Sequence, residues 1–406
     1  MNEEENNNNI NNIKNNNIED NFIVINDNNN SENEKEEKKM IEDFEDIKEV
    51  SDLVNEITYA SINQDQNYIS IATKNGFKIF SVSPLKLFYE NKCGPIKIIE
   101  MLNTTNLILL VGEKDFDNFS PRKATIFSIK DNRILCSFWP FLNEITLAKL
   151  NKKRIILLEN LTIHIFSTND MEELHTLDII EININSIALS PSSEKNNFLI
   201  YSDSNNEGII KIYDLLNLTF KNKFLAHKSK LRVVSINYYG NLIVTCSISG
   251  TTIRIFNVPK GEKIFTYKRG IQNAKIYSIS FDIDSNNKFV LSSETGTIHI
   301  FDLEQTKNEN YLNNLNDNKS FISGFLNKIQ NNIIMKGYED FGNTYKPLLS
   351  TNFQSVKINN KISFRGGSKS SEIFIINEIG VFQNFSINYK SGKIVSLNKQ
   401  ILDDLK

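Results

Sequence analysis

The chain has 406 residues, of which 40% are hydrophobic and 23% charged, enough to bury the core of one large β domain or two smaller ones. Its net charge of -3 conceals an asymmetry: the first 50 residues hold about 15 acidic and about 5 basic side chains, which leaves the remainder near +7. That bias suits an anionic lipid surface and falls far short of a nucleic-acid binder.

Residues 1–52 are Asn-rich and then Glu/Lys-rich, with too few apolar side chains to offset the entropy of ordering, and are expected to form a disordered tail. Within its end, Ile41, Phe44, Ile47 and Val50 have the spacing of a short helix. Neither a signal-peptide layout nor an apolar run of about 18 residues is present, so the expectation is a cytosolic protein whose membrane contact is peripheral. Cys93, Cys136 and Cys246 lack metal-ligand spacing and read as buried free thiols in a reducing compartment.

From residue 53 onward the chain is a succession of short strands and Gly turns. A first unit opens at Ile57 and runs through Tyr68-Ile-Ser-Ile-Ala-Thr-Lys-Asn-Gly-Phe-Lys-Ile-Phe80. The second, about Ile96 to Phe138, contains a polar loop from Gly112 to Lys123. On its own residues that loop reads as a plain solvated hairpin. The third, about Ile145 to Leu177, holds His164 and His175; neither has a second ligand or a nucleophile at useful spacing, so both read as structural. The fourth runs from about Ile184 to Phe224.

The stretch Leu225 to Leu303 carries the clearest repeat. Val244-Thr-Cys-Ser-Ile-Ser-Gly-Thr-Thr-Ile-Arg-Ile-Phe256 returns as Val290-Leu-Ser-Ser-Glu-Thr-Gly-Thr-Ile-His-Ile-Phe301, an interval of about 46 residues, in the range of propeller blades. Between the two copies lies Tyr267-Lys268-Arg269-Gly270, whose adjacent cations point to two separate pockets. A seventh unit follows from about Phe353. Seven units of about 40 residues predict an all-β, seven-bladed β-propeller over 53–406, whose circular closure leaves only short edges. The strand pattern is weakest in the second unit and at the closure of the seventh.

Tyr-Lys-Arg-Gly and its flanking passages, Ala226-His-Lys-Ser229, Gly250-Thr-Thr-Ile-Arg-Ile-Phe256, Lys275-Ile-Tyr-Ser-Ile-Ser-Phe281 and Gly296-Thr-Ile-His-Ile-Phe301, resemble the PROPPIN family of WD40-like propellers, whose motif is Phe-Arg-Arg-Gly. The resemblance extends from roughly Ile57 to Leu402. It implies a non-enzymatic peripheral membrane protein that binds phosphatidylinositol 3-phosphate or phosphatidylinositol 3,5-bisphosphate and recruits autophagy machinery, with no cofactor, no bound metal and no nucleic acid. By motif, a first pocket would use His227, Ser247, Thr251, Arg254 and Lys268, and a second Arg269, Ser278, Ser292, Thr297 and His299. Taken singly, these residues also suit a solvated strand position (Arg254), turn and strand choices (Ser292, Thr297) or a turn cap (His227). Lys268 departs from the family's arginine, replacing a planar bidentate fork with a point charge.

The family carries a membrane-entering loop after the third strand of its sixth blade, and here an insertion from Glu304 to Pro347 stands at that place. Phe321, Ile322, Phe325, Leu326 and Ile329 recur in it at three- and four-residue intervals, flanked by Lys319, Lys328 and Lys336, the composition of an in-plane amphipathic helix; packing against the propeller is the alternative. The resemblance further implies a monomer, recruited to preautophagosomal, endosomal or vacuolar membranes, with lipid-transfer or conjugation-scaffold proteins as partners; because relatives carry protein contacts on their second blade, it makes the loop from Gly112 to Lys123, which ends in the family-like Pro121-Arg-Lys123, a candidate partner surface. Other readings stay open: a protein scaffold that has lost lipid binding, a trafficking role at endosomal, vacuolar or plastid membranes, and a hydrolase on a propeller, for which the sequence offers no nucleophile–base motif.

Overall fold

The computed structural model describes residues 57–307 and 344–402, apart from 139, 182, 203–206, 358, 367–370 and 390. The 1–52 tail and the helical spacing at its end therefore lie outside the described residues, as do Phe321, Ile322, Phe325, Leu326 and Ile329 of the insertion.

Apolar runs such as Leu107–Gly112 and Arg154–Glu159 become strands buried on both faces, because each blade packs against a neighbour on either side. Outer strands face water and alternate instead: Leu85–Asn91 switches between half-buried and exposed at every residue. Seven sheets result, each built on four antiparallel strands. Blade 1 spans Ile57 to Asn91, blade 2 Ile96 to Ser137, blade 3 Ile145 to Asp178 and blade 4 Ile187 to His227. Blade 5 is built from Leu231–Ile236, Leu242–Ser247, Thr252–Asn257 and Lys263–Lys268. Blade 6 takes Ile276–Phe281, Lys288–Ser293, Thr297–Asp302 and Leu349–Asn352; blade 7 runs from Asn360 to Ile401.

The core is divided among the blade interfaces. Seven apolar clusters are each shared by two neighbouring blades, and the one between blades 7 and 1 (Phe374, Ile376, Phe382 and Leu402 against Ile69, Ile71, Phe80 and Val82) closes the ring. No strand is exchanged at that closure, since blade 7 forms its own four-stranded sheet. Polar stitching accompanies it: Gln66 of blade 1 donates to the Phe281 carbonyl of blade 6 at 3.2 Å and accepts from Ser363 of blade 7 at 2.8 Å.

Two boundaries differ from the sequence expectation. The outer strand of blade 4, Thr219–His227, continues past Phe224, so His227 is contributed by blade 4. Blade 6 is incomplete at Leu303. Its third strand runs into a helical turn at 303–307 rather than a hairpin, and its outer strand comes from beyond the insertion. On the way back, Thr344–Tyr345 pairs in parallel with Thr266–Tyr267 and adds a fifth strand to blade 5.

Candidate functional site

Strand alternation decides where the cations go. In blade 5, Ile253 and Ile255 pack into the cluster shared with blade 6, so Arg254 between them faces blade 4, as does Phe256. On the next strand Phe265 and Tyr267 also pack toward blade 6, which turns Lys268 toward blade 4 and the following residue back. The Arg269 amide still bonds the Thr251 carbonyl at 2.9 Å, so the ladder carries the alternation one residue beyond the strand. Two neighbouring cations thus serve opposite faces of one blade.

On the blade 4 side, the His227 ring Nε2 lies 2.9 Å from the Thr245 hydroxyl, which donates to the Arg254 carbonyl at 3.3 Å. The Arg254 guanidinium, nearly buried, donates to the Ala226 carbonyl at 2.6 Å. Ser247, Ser249 and Thr251 form a chain of hydroxyls with steps of 3.0 and 3.4 Å. Lys268 is exposed at the end of this face. The structure therefore gathers His227, Ser247, Thr251, Arg254 and Lys268 along one edge of the blade 4–5 interface.

On the blade 6 side the arrangement repeats with a change of members. Ser293, Thr295 and Thr297 make a second hydroxyl chain with steps of 2.8 and 3.1 Å. His299 shares their face: its Nδ1 lies 2.7 Å from the Ser350 hydroxyl, and its buried Nε2 has no hydrogen-bond partner among the described residues. Burial first, and the nearby Arg269 charge second, pull the His299 pKa down to about 4, so the ring is neutral at pH 7. Burial also lowers the Arg269 pKa, against the pull of Glu294, but a guanidinium keeps its proton. Arg269 is held in place by an Nε bond to the Gly250 carbonyl at 2.6 Å and a second bond to the Gln272 carbonyl.

Ser278 and Ser292 do not join this group. Ser292 donates to Asn360 of blade 7 at 2.6 Å, and Ser278 accepts the Ile362 amide and lines the central channel. Both lie one residue out of phase with the face that holds His299, because Leu291, not Ser292, stands opposite His299. Ser293 is the member the sequence reading missed. The signal was the glycine register: Ser247 and Ser293 each precede their turn glycine, Gly250 or Gly296, by three residues. Thr245, Ser249, Thr295 and Ser350 were likewise missed, since only folded partners identify them.

Tyr267, fully buried, ties the site to the roots of the insertion. Its ring packs 4.9 Å from Phe301 and 5.9 Å from Tyr345, and its hydroxyl is 2.8 Å from that of Thr306. The family's phenylalanine would keep the packing and lose that hydroxyl contact.

Other chemistry-bearing residues are engaged elsewhere. His164 sits between Glu173 and Glu159, and His175 stacks on Tyr213. All three cysteines are free, but only Cys246 is buried, its thiol pushed up to about 12 by burial; Cys93 and Cys136 are half-buried because they stand at the outer margins of blades 1 and 2. The central channel holds a cavity of about 310 Å³ in which Glu100 accepts the Tyr59 hydroxyl at 2.8 Å. Lys361 in the same cavity is reached by solvent yet crowded by protein, and desolvation lowers its pKa to about 8. Among the described residues no cluster of His, Cys, Asp and Glu could hold a metal, and no helix is long and apolar enough to cross a membrane.

With this geometry in place, comparison with known proteins decides the family. The PROPPIN family profile matches residues 56–336. The chain belongs to the PROPPIN family. Autophagy-related protein 18 of Dictyostelium discoideum is 37% identical over 248 residues, covering 61% of this chain and 65% of the relative; that of Mycosarcoma maydis is 34% identical over 272 residues, covering 61% and 59%. The chain thus spans under two thirds of the length of these curated relatives. Among solved structures, Kluyveromyces lactis Hsv2 superimposes with a TM-score of 0.65 at 19% identity, covering 85% of this chain and 99% of Hsv2. KlAtg21, solved in complex with the coiled coil of AgAtg16, gives 0.64 at 21% identity, again over 85% and 99%. These likenesses show the propeller fold of this PROPPIN.

Gly250 is the point where the two faces of blade 5 are pinned together. It has a φ of +66°, its carbonyl accepts from Arg269, and a Cβ there would stand 1.9 Å from the Ala274 carbonyl oxygen. Gly250→Ala is expected to lower stability by about 2–4 kcal/mol, through left-handed strain and a forced shift of the backbone. Chemical denaturation reads the loss; a change under about 0.5 kcal/mol, the range of an inert surface substitution, would contradict it.

Proposed function

We propose that this PROPPIN is a peripheral membrane protein that binds phosphatidylinositol 3-phosphate, phosphatidylinositol 3,5-bisphosphate or both, in two pockets on either side of blade 5. The observation that carries the reading is the pairing of Lys268 and Arg269 with two like hydroxyl chains on opposite faces. A phosphorylated inositol is a compact polyanion, and cations with short hydroxyl donors on rigid strands are what it requires. The first pocket is assigned His227, Ser247, Thr251, Arg254 and Lys268; the second Arg269, Ser293, Thr297 and His299.

Two weak sites on one edge act multivalently on a surface, and the insertion between the third and outer strands of blade 6 is proposed to add a membrane-entering segment through Phe321, Ile322, Phe325, Leu326 and Ile329. The proposed role is non-catalytic: an adaptor that brings autophagy proteins to preautophagosomal, endosomal or vacuolar membranes. Support for a protein partner comes from the complex of KlAtg21 with the coiled coil of AgAtg16. In this chain the loop from Gly112 to Lys123 is the proposed surface; its backbone is fixed by bonds from Phe141 and Ile145 to the Arg122 and Pro121 carbonyls, while Phe116 is half exposed.

A second reading, a scaffold that does not bind lipid, draws on the first pocket, where Arg254 and His227 already have internal partners and Lys268 replaces arginine. Liposome flotation of the full chain separates the two. Wild type is expected to float with vesicles containing the 3-phosphorylated lipids, and Arg269→Glu to lose about tenfold or more in affinity, the scale for a charged hydrogen-bonding partner. Absence of flotation for wild type at low salt would leave the scaffold reading.

The neutral His299 gives this binding a pH dependence. A phosphate placed beside the ring favours the protonated form, so it raises the pKa from about 4 and binding takes up a proton. Affinity for 3-phosphoinositide vesicles is therefore expected to rise as pH falls from 7 toward 5, and His299→Gln to flatten that slope. Identical slopes in the two proteins would remove His299 from the second pocket.

A further inference from the structure

We propose that Ile248 and Ile271 form an apolar pair that enters the bilayer beside the two headgroup pockets, a second point of insertion built on the propeller itself. The proposal rests on the phosphoinositide reading above. Ile271 is 86% exposed and Ile248 55% exposed. Isolated exposed apolar residues are common and by themselves mean little. Here three further observations bear on the pair.

The first is that the turn does not demand an apolar residue. Ile248 follows Ser247 in the blade 5 hairpin, and the same place in the blade 6 hairpin, after Ser293, is held by Glu294. Both hairpins make the same hydroxyl chain and the same left-handed glycine turn, so the backbone accepts either residue.

The second is that both side chains are presented by fixed backbone at one edge of the ring. Ile248 donates its amide to the Lys230 carbonyl at 3.0 Å, and Ala274 donates to the Ser249 carbonyl at 3.1 Å. Arg269 then bonds both Gly250 and Gln272, joining the Ile248 hairpin to the segment that carries Ile271. The pair is thereby held on the same side as the cations.

The third is charge. Exposed Lys228, Lys268 and Lys275 stand on this edge with Arg269, against the carboxylate of Glu294, which accepts the Lys275 amide. Aliphatic tips ringed by cations match a boundary where acyl chains lie beneath anionic headgroups. We therefore commit to an anionic bilayer as the occupant.

The test compares the full-length wild type with an Ile248→Ser/Ile271→Ser double variant, in two arms. With soluble inositol 1,3-bisphosphate, the variant is expected to keep its affinity within about twofold, whereas on phosphatidylcholine vesicles carrying phosphatidylinositol 3-phosphate it loses about tenfold or more, as burial of two aliphatic side chains requires. Unchanged vesicle affinity overturns the proposal and leaves the pair to a protein partner. Parallel losses in both arms also overturn it, since the pair would then be supporting the pockets. An Ile271→Trp variant gives an independent reading against the wild-type background of Trp139: its emission shifts to the blue on phosphatidylserine vesicles if position 271 enters lipid, and an unshifted spectrum rejects insertion. Wild type that ignores the soluble headgroup would sink the phosphoinositide reading, while the tryptophan signal would still decide this one.

Discussion

The whole arrangement depends on the burial of Tyr267. A strand presents its side chains with a period of two, so fixing one residue fixes the faces of its neighbours. Tyr267 is held among Phe265, Phe289, Phe301 and Tyr345, where a slip of one residue would expose an aromatic ring and bury a lysine. Because that slip is so costly, Lys268 is committed to blade 4 and Arg269 to blade 6. The cations are separated by hydrophobic packing rather than by any contact of their own.

The same residue links two parts of the molecule that are distant in sequence. The insertion leaves blade 6 through a helical turn whose Thr306 meets the Tyr267 hydroxyl, and it returns as a strand against Thr266–Tyr267. Both roots are thus clamped on the residue that orients the cations. Under the proposed function, an anion on Arg269 and an insertion that begins a few residues from the same ring share one rigid support, which is the condition for the parts to engage a surface together.

The ring of blades was legible because each blade repeats the same local physics: an apolar run buried on both faces, a glycine turn, and an alternating outer strand. The cations were legible too, since adjacent charges at the end of an apolar strand can only diverge. What the pattern did not reveal was phase. Ser292 and Ser293 are both serines in a strand, and only the glycine register, or the packing of Leu291 against blade 5, tells which of them shares a face with His299. Ser278 sits on the other face for a like reason, since a bulge between Ile276 and Ser278 shifts the inner strand. The outer strand of blade 6 was hidden because about 45 residues separate it from the strand it pairs with, beyond the short connections that strand patterns assume.

The central claim is that one blade displays two separate anion pockets, one for each cation. Titration calorimetry of the full chain with soluble inositol 1,3-bisphosphate at low salt tests it most directly. The account predicts two sites in the wild type, one in Lys268→Ala and one in Arg269→Ala. A single site in the wild type that either substitution abolishes would contradict it, because the two cations would then be gripping the same ligand.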